Sequence, residues 1–341
     1  MTVDLAVPAP IEEVGGIDRE RFEREVAPRY RPVVLRGAAA HWPAVAAART
    51  SDEELVRYLA ARDSGRPVTV LTAPPEVEGR YFYAEGLRGM NFSSLKQPLA
   101  ALLERLLAER DDPAAPTYYA GSAPTAESVR AFAAENVLPF DTRGVDPRIW
   151  VGSRSRIAPH YDMSPNLAVV VAGRRRFTLF PPDQIGNLYV GPVDRTVAGQ
   201  PTSMVDPHAP DLDRYPRFAK AMRHALTADL EPGDAIYIPT LWWHGVRADA
   251  PLNVLVNYWY GEEDRRFPFA ALMLAVQSLR ELPETELAAW RSWFDHYVFA
   301  ESARGAVDHL PEHARGVLSA PGPVRDRMIL DYVVGMLKRP R

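Results

Sequence analysis

The chain has 341 residues, enough for one large domain or a domain with an appendage, and 47% hydrophobic with 25% charged residues is typical of a soluble globular protein. Its formal net charge of −4, with no long basic cluster, argues against a nucleic-acid-binding protein. The absence of cysteine excludes disulfides, thiolate catalysis and cysteine-ligated metals, so that any metal must be bound by nitrogen and oxygen ligands.

Targeting signals are also missing from the sequence. The N-terminal stretch is acidic and proline-rich and lacks the charged start and apolar core of a signal peptide. No run approaches the ~18 apolar residues that a membrane-spanning helix needs. The sequence therefore predicts a cytoplasmic protein without a membrane partner.

Residues 1–116 mix helical and strand patterns, and we expect them to form an α/β part packed on a β-barrel. DRERFEREVAPRY (18–30) has a charged helical pattern, and RPVVLRGAA (31–39) indicates a short apolar strand ended by Gly37. SLKQPLAALLERLLAERDD (94–112) has leucines at helical spacing and leads into a polar linker that contains proline.

Residues 117–262 are predicted to be a β domain. AGRR (172–175) indicates the turn of a hairpin that joins LAVVV to RFTLF. Several short strands with turn signals between them favour a sandwich or barrel. The strand-like segments, rich in β-branched and aromatic residues, are TYYAG, PRIWVGS, NLAVVVAG, RRFTLFPP, DAIYIPTLWWH and NVLVNYWYG.

Residues 263–341 have a helical pattern. Near the end of the chain one apolar stripe follows the spacing i, i+3, i+4, i+7, i+8. Such a stripe either packs on its own domain or forms a subunit interface, and an all-helical appendage favours a homodimer formed through the C-terminal helices. The stripe consists of Ile329, Tyr332, Val333, Met336 and Leu337.

A candidate metal site begins at His160 and Asp162. If they lie on a strand, residues two apart face the same side, and Tyr161 points away from them. The best third ligand is His244, so that two strands would each end in a histidine. Two histidines and one carboxylate form the facial triad of non-haem Fe(II) oxygenases, which leaves positions open for a co-substrate and O2. Zinc remains an alternative metal for such ligands.

The order of these motifs resembles the cupin-like JmjC family of oxygenases, whose relatives include the asparaginyl hydroxylase acting on hypoxia-inducible factor. The resemblance covers about residues 117–262 and extends weakly to RPVVLRGAAAHWPA (31–44) and RGMNF (88–92). It is carried by PHYDMSPNLAVVVAGRRRFTLFPP (159–182), EPGDAIYIPTLWWHGV (231–246) and NVLVNYWY (253–260).

The resemblance implies a mainly-β double-stranded β-helix, the cupin or jelly-roll fold. It also implies Fe(II) held by His160, Asp162 and His244, with 2-oxoglutarate and O2 as co-substrates. The family oxidises 2-oxoglutarate to succinate and CO2 while a second substrate is hydroxylated. Protein or peptide side chains are the first expected substrate and small molecules the second, whereas an isomerase or a ligand-binding regulator of cupin type is the alternative.

One residue departs from the pattern of the family at the co-substrate. The family has a lysine two residues after the hairpin glycine to bind the distal carboxylate, and here that position is Arg175. Arginine binds carboxylates well but is longer and forked. Strand alternation predicts that Arg175 shares a face with Phe177 and Leu179.

The resemblance assigns further positions to the co-substrate and the metal. Tyr119, with Tyr118 as the fallback, matches a tyrosine at the 2-oxoglutarate carboxylate. Ile157 stands where the relative has a threonine, so that one hydrogen bond to the co-substrate is missing or supplied elsewhere. The remaining matched positions are Asn166, Asn257 and Trp259.

Overall fold

The computed structural model describes residues 5–140, 144–260 and 268–338. Its strands are β1 (Ala9–Pro10), β2 (Glu12–Gly15), β3 (Val33–Arg36), β4 (Val68–Ala73), β5 (Ser93–Gln97), β6 (Thr117–Pro124), β7 (Arg148–Gly152), β8 (Ser155–His160), β9 (Asn166–Ala172), β10 (Arg175–Phe180), β11 (Leu226–Leu230), β12 (Ala235–Ile238), β13 (Trp243–Ala248) and β14 (Asn253–Trp259). Its α-helices are α1 (Arg19–Arg21), α2 (Pro43–Thr50), α3 (Asp52–Ala60), α4 (Leu99–Ala108), α5 (Thr125–Ser128), α6 (Phe132–Glu135), α7 (Phe218–Met222), α8 (Pro268–Leu279), α9 (Glu284–Phe294) and α10 (Pro323–Leu337). Two π-helical segments, Phe22–Val26 and Asp295–Phe299, continue α1 and α9, and short 3₁₀ turns occur elsewhere.

The strands form two sheets within the first of two compact units, which divide between residues 264 and 265. The five-stranded sheet has the order β1-β11-β10-β13-β8, and the nine-stranded sheet has the order β2-β3-β12-β9-β14-β7-β6-β4-β5. Neighbouring strands are antiparallel except for the pairs β1–β11 and β2–β3. This mostly antiparallel, two-sheet arrangement confirms the predicted mainly-β jelly-roll fold.

The central strand β9 explains why its sequence is a continuous apolar run. All seven of its residues are buried, because the strand has neighbours on both edges and cores on both faces. Leu167, Val169 and Val171 pack in the core shared with the N-terminal helices. Ala168 and Val170 pack instead against residues of the five-stranded sheet. A strand buried on both faces shows no alternation of polar and apolar residues.

Helices α2, α3 and α4 cover the outer face of the nine-stranded sheet. Ser51 caps α3, since its hydroxyl accepts a hydrogen bond from the Glu54 amide at 3.2 Å. The predicted leucine stripe is correct for α4, whose buried positions follow the spacing i, i+3, i+4, i+7. They are Leu99, Leu102, Leu103 and Leu106.

Several local predictions in this unit are wrong. DAIYIPTLWWH is not one strand, because β12 and β13 divide it and lie in different sheets. The helical pattern at 94–112 yields a helix only from Leu99, because residues 93–97 form β5 and Pro98 separates the two elements. Proline disfavours helical geometry in the residue before it, which therefore ends the strand in an extended form. AGRR (172–175) is not a hairpin turn either. β9 and β10 belong to different sheets, and Gly173, at φ +74°, carries the chain from one sheet to the other.

The second unit contains α8, α9 and α10 within residues 268–338. The apolar stripe predicted at residues 329–337 lies on a helix, α10. Large apolar side chains on these helices are exposed, including Trp293 at 59% and Phe299 at 72%. Among the residues described, no helix is both long enough and apolar enough to cross a bilayer.

Candidate metal centre

The two candidate histidine ligands face each other across one strand pair. β8 and β13 are antiparallel, and His160 lies directly opposite His244 in their register. The two imidazole rings have centroids 4.3 Å apart. The expectation that each ligand strand ends in histidine is wrong for His244, which stands near the start of β13. Antiparallel pairing requires this arrangement, because the end of one strand lies beside the start of the other.

Asp162 lies just beyond the end of β8, so it is placed by the following turn and not by strand alternation. Its backbone carbonyl accepts a hydrogen bond from the Leu241 amide at 3.0 Å. Its Oδ2 atom lies 3.5 Å from His244 Nε2. Tyr161 turns away as predicted, and its ring packs edge-on against Trp243 with centroids 4.9 Å apart.

Backbone carbonyls fix the tautomer of both histidines. His160 Nδ1 lies 3.0 Å from the Ala158 carbonyl, and His244 Nδ1 lies 3.0 Å from the Trp242 carbonyl. Since a carbonyl oxygen only accepts, each Nδ1 carries a proton, which leaves Nε2 as the nitrogen available to a metal. Burial, helped by the neighbouring His160 and opposed by Asp162, lowers the pKa of His244 to about 4. His244 is therefore neutral at pH 7, as a metal ligand must be.

The three side chains fit a divalent metal bound by nitrogen and oxygen. One ligand atom from each of His160, Asp162 and His244 lies within 4.8 Å of the others, and no other such group of histidine and acidic residues occurs in the described part of the chain. Paired imidazoles and one carboxylate suit Fe(II) and leave part of its coordination sphere open. The Nδ1 contacts to carbonyls orient both rings in the way usual for histidine ligands.

A cavity of about 240 Å³ opens beside the triad, between the two sheets. Tyr119 lines it, whereas Tyr118 points to the core on the opposite face of the sheet, and its hydroxyl donates to Glu109 at 2.9 Å. Most of the wall is apolar, which is usual for a small-molecule site. Lining residues come from both sheets and from loops, and include Tyr81, Trp150, Ile157, Ala168, Phe177, Val246, Leu255 and Trp259.

Arg175 is the cation in this cavity, and it is buried to 1% exposure. As predicted, Phe177 and Leu179 share its buried face, whereas Arg176 points outward and pairs with Asp229 at 2.7 Å. The Nε and Nη2 atoms of Arg175 make no hydrogen bond to any described residue. Burial lowers the pKa of Arg175, and the neighbouring Tyr119 hydroxyl opposes that shift. A buried guanidinium with two open donors fits an anionic ligand such as a carboxylate.

Asn166 and Asn257 lie beside the triad and are linked to it by hydrogen bonds. Asn166 Nδ2 donates to Asp162 Oδ2 at 2.8 Å, and Asn257 Nδ2 donates to Asn166 Oδ1 at 3.2 Å. Trp150 Nε1 in turn donates to Asn257 Oδ1 at 2.6 Å. Trp259 also lines the cavity, and its Nε1 atom has no partner among the described residues.

Sequence reasoning missed several residues of the cavity wall, among them Trp150 and Tyr81. Trp150 lies in β7 between the buried Ile149 and Val151, which face the opposite core, so alternation could have placed it at the cavity. No local pattern pointed to Tyr81, because it comes from a loop outside the β domain. Its ring reaches Tyr119 with centroids 5.5 Å apart.

Comparison with known proteins gives matches over most of the chain. Residues 19–266 match the model of the cupin-like domain family. A chicken protein named tRNA wybutosine-synthesizing protein 5 is 27% identical over 310 residues, which cover 80% of this chain and 89% of that relative. Human HSPB1-associated protein 1 is 37% identical over 125 residues, or 36% of this chain and 25% of that protein. Jumonji C domain-containing protein 5 of Drosophila melanogaster is 38% identical over 122 residues, or 35% of this chain and 29% of that protein.

Proposed function

This chain belongs to the cupin-like domain family, of JmjC type, and from that premise we propose that it is an Fe(II)- and 2-oxoglutarate-dependent oxygenase that hydroxylates its substrate. The observation that carries the proposal is the pairing of two features in one cavity. The ligand triad and the buried guanidinium of Arg175, which has two donors without a partner among the described residues, line the same cavity. A metal-chelating dicarboxylate needs both a metal and a cation for its far carboxylate.

The residues of the cavity have separate roles in this proposal. His160, Asp162 and His244 would hold Fe(II), which when bound supplies the chemistry of O2 activation. The Nε and Nη2 atoms of Arg175 would bind the distal carboxylate of 2-oxoglutarate, and Tyr119 would donate to the same carboxylate. Ile157 supplies no hydroxyl, so that the two donors of Arg175 replace the hydrogen bond that a threonine would give.

Further contacts to the co-substrate are proposed for side chains near the triad. Asn257 and Asn166 would form the polar part of the wall next to the metal. Trp259 would form part of the apolar wall, and its indole N–H, which has no partner among the described residues, would donate to the bound ligand. The largely apolar lining lowers the local dielectric constant, which would strengthen the electrostatic attraction between Arg175 and a dianion.

Three classes of substrate compete for this site. A protein or peptide side chain is the first candidate, and a small molecule is the second. A tRNA nucleoside is the third candidate, because the relative named for tRNA wybutosine synthesis aligns over most of both chains. This candidate departs from the expectation, based on net charge, that the chain binds no nucleic acid. Products from each class are distinguished by mass spectrometry, which detects the added oxygen atom on a tryptic peptide or on a released nucleoside.

The direct test of the proposed reaction is succinate formation. Iron-loaded protein is incubated with 2-oxoglutarate in air, and we expect slow succinate release that a true substrate accelerates. A cupin of another class, such as an isomerase or a ligand-binding regulator, would bind no 2-oxoglutarate and release no succinate. That result would overturn the proposal while leaving the family assignment intact.

Asp162→Ala tests the metal centre. We expect the loss of iron binding and of succinate formation, because the triad would retain only its two imidazoles. Asp213→Ala, which changes an exposed aspartate, is the matched control and should behave like the unsubstituted protein. Full iron affinity in Asp162→Ala would show that the triad is misassigned.

We also propose that the chain forms a homodimer through its C-terminal helices and acts in the cytoplasm. The support for the dimer is the exposure of large apolar side chains within residues 268–338, among them Trp293, Phe299 and Tyr332. A subunit interface rich in aromatic residues would bury such a surface.

A further inference from the structure

We propose that Trp150 is a positioning residue for the metal centre and acts through a hydrogen-bond relay that ends on Asp162. The relay has three links: Trp150 Nε1 to Asn257 Oδ1 at 2.6 Å, Asn257 Nδ2 to Asn166 Oδ1 at 3.2 Å, and Asn166 Nδ2 to Asp162 Oδ2 at 2.8 Å. The inference rests on the proposed metal centre, since its effect is measured there.

The two ends of the relay fix the direction of every hydrogen bond in it. An indole N–H only donates, and an ionised carboxylate only accepts. Asn257 must therefore turn its oxygen to Trp150 and its amide nitrogen to Asn166, and Asn166 must do the same towards Asp162. Rotation of either amide by half a turn would place two donors or two acceptors together. The side chains thus have one arrangement in which all links are satisfied.

The relay connects a rigid sheet to a ligand that lies outside any strand. Trp150, Asn257 and Asn166 stand on β7, β14 and β9, which are adjacent in the nine-stranded sheet. Asn257 and Asn166 are buried, at 1% and 7% exposure. Asp162 lies two residues beyond His160, the last residue of β8, so that β8 itself does not fix its carboxylate. The hydrogen bond from Asn166 connects this carboxylate to the nine-stranded sheet.

Aromatic contacts hold the indole at the start of the relay. The Trp150 ring lies between Tyr119, with centroids 5.9 Å apart, and Trp259, which meets it edge-on at 6.0 Å. Its N–H is therefore aimed by packing as well as by its acceptor. Outer residues that orient metal ligands typically contribute about 10–100-fold to metal affinity.

The test is Co(II) titration of the full chain, followed by visible absorption. Trp150→Phe keeps the ring but removes the donor, and we expect the Kd for Co(II) to rise about 10-fold, with a shifted absorption band, because the Asp162 carboxylate is no longer held in one orientation. The control is Trp42→Phe, since Trp42 Nε1 donates to the Val137 carbonyl at 2.9 Å, outside the relay. It should leave both the Kd and the spectrum unchanged.

A double substitution separates the relay from a general effect on folding. Asn166→Ala cuts the last link and should itself weaken Co(II) binding. In that background Trp150→Phe should change the Kd less than twofold, because its only route to Asp162 is gone. An equal effect of Trp150→Phe with and without Asn166 would overturn the relay.

Two further outcomes are decisive. If Trp150→Phe does not fold, Asn257→Ala cuts the middle link instead and should raise the Kd to the same degree. An unchanged Kd in whichever of these variants folds would overturn the positioning role. Failure of the unsubstituted protein to bind Co(II) would instead overturn the proposed metal centre itself.

Discussion

A single buried guanidinium gives the cavity its electrostatic character. Arg175 is surrounded by apolar side chains, with the Tyr119 hydroxyl as its polar neighbour. Keeping an unpaired charge in such a place costs several kcal/mol, and a bound carboxylate offsets that cost. Arg175 therefore lowers the stability of the ligand-free protein and raises its affinity for an anion.

Arg175→Met should weaken the binding of 2-oxoglutarate and stabilise the ligand-free protein. We expect the Kd for 2-oxoglutarate to rise roughly 10–100-fold, because hydrogen bonds to charged groups contribute about 1.5–3 kcal/mol. The melting temperature of the ligand-free protein should rise, since an apolar side chain of similar length replaces a buried charge. Isothermal titration and differential scanning calorimetry measure the two effects. Arg176→Met, at the exposed neighbour, should alter neither, and a lower melting temperature in Arg175→Met would contradict the argument.

At the residue scale, much of the site could be predicted from the sequence. Two imidazoles, a carboxylate and a guanidinium form a combination that few other roles would require. They belong to His160, His244, Asp162 and Arg175. Alternation along β7 places Trp150 at the cavity, but its role could not be predicted, because that role depends on hydrogen bonds made across three strands. Local pattern identifies a ligand by its chemistry but does not identify the group that orients it.

At the element scale, the passage between the two sheets at Gly173 sets the position of Arg175. Gly173 has φ +74°, and a Cβ atom there would lie 2.1 Å from Asn253 Oδ1. Only glycine tolerates both the left-handed backbone and this close approach. Gly173 thus joins β9 to β10 and stands two residues before Arg175, so that the turn determines where the guanidinium lies.

Gly173→Ala should lower the free energy of unfolding by more than about 2 kcal/mol, because the left-handed strain of about 1–2 kcal/mol is joined by a steric clash. Gly65→Ala is the matched control, since Gly65 has φ +77° but open space around its Cβ position. It should show the strain alone. Chemical denaturation measures both variants, and equal losses would mean that the contact with Asn253 is unimportant.

The limits of pattern reading are clear at this scale. Apolar runs identify β7, β9, β10 and β14 as strands. The sequence of a turn does not determine whether the two strands that it joins pair with each other, so the partners of β9 and β10 could not be predicted. DAIYIPTLWWH was read as one strand, whereas β12 and β13 lie in different sheets. Residues 239–242 separate them, so that His244 begins a strand next to β8.

At the scale of the whole molecule, the first compact unit contains the complete cavity, and the helices of residues 268–338 carry exposed aromatic side chains. If these helices form the proposed dimer, light scattering of the full chain should give twice the mass of one chain. Trp293→Glu combined with Phe299→Glu should halve that mass, because charges would be buried in the interface. A monomer for the unsubstituted chain would refute the dimer.

The register of β8 and β13 has a mechanical consequence. β8 is the last strand in the order of the five-stranded sheet, and its outer side has only isolated contacts, such as the hydrogen bonds from the Arg156 amide to the Gly79 carbonyl and from the Ser203 amide to the Pro159 carbonyl. A strand without a full neighbour on one side opens more readily than a central strand. A metal bound by both His160 and His244 would cross-link β8 to β13 through its coordination bonds. Amide hydrogen exchange in residues 155–160 should therefore slow when metal is added, while exchange in the central strand β9 should change little. The ion would thus stabilise the pairing of the outermost strand of this sheet, independently of any reaction it supports.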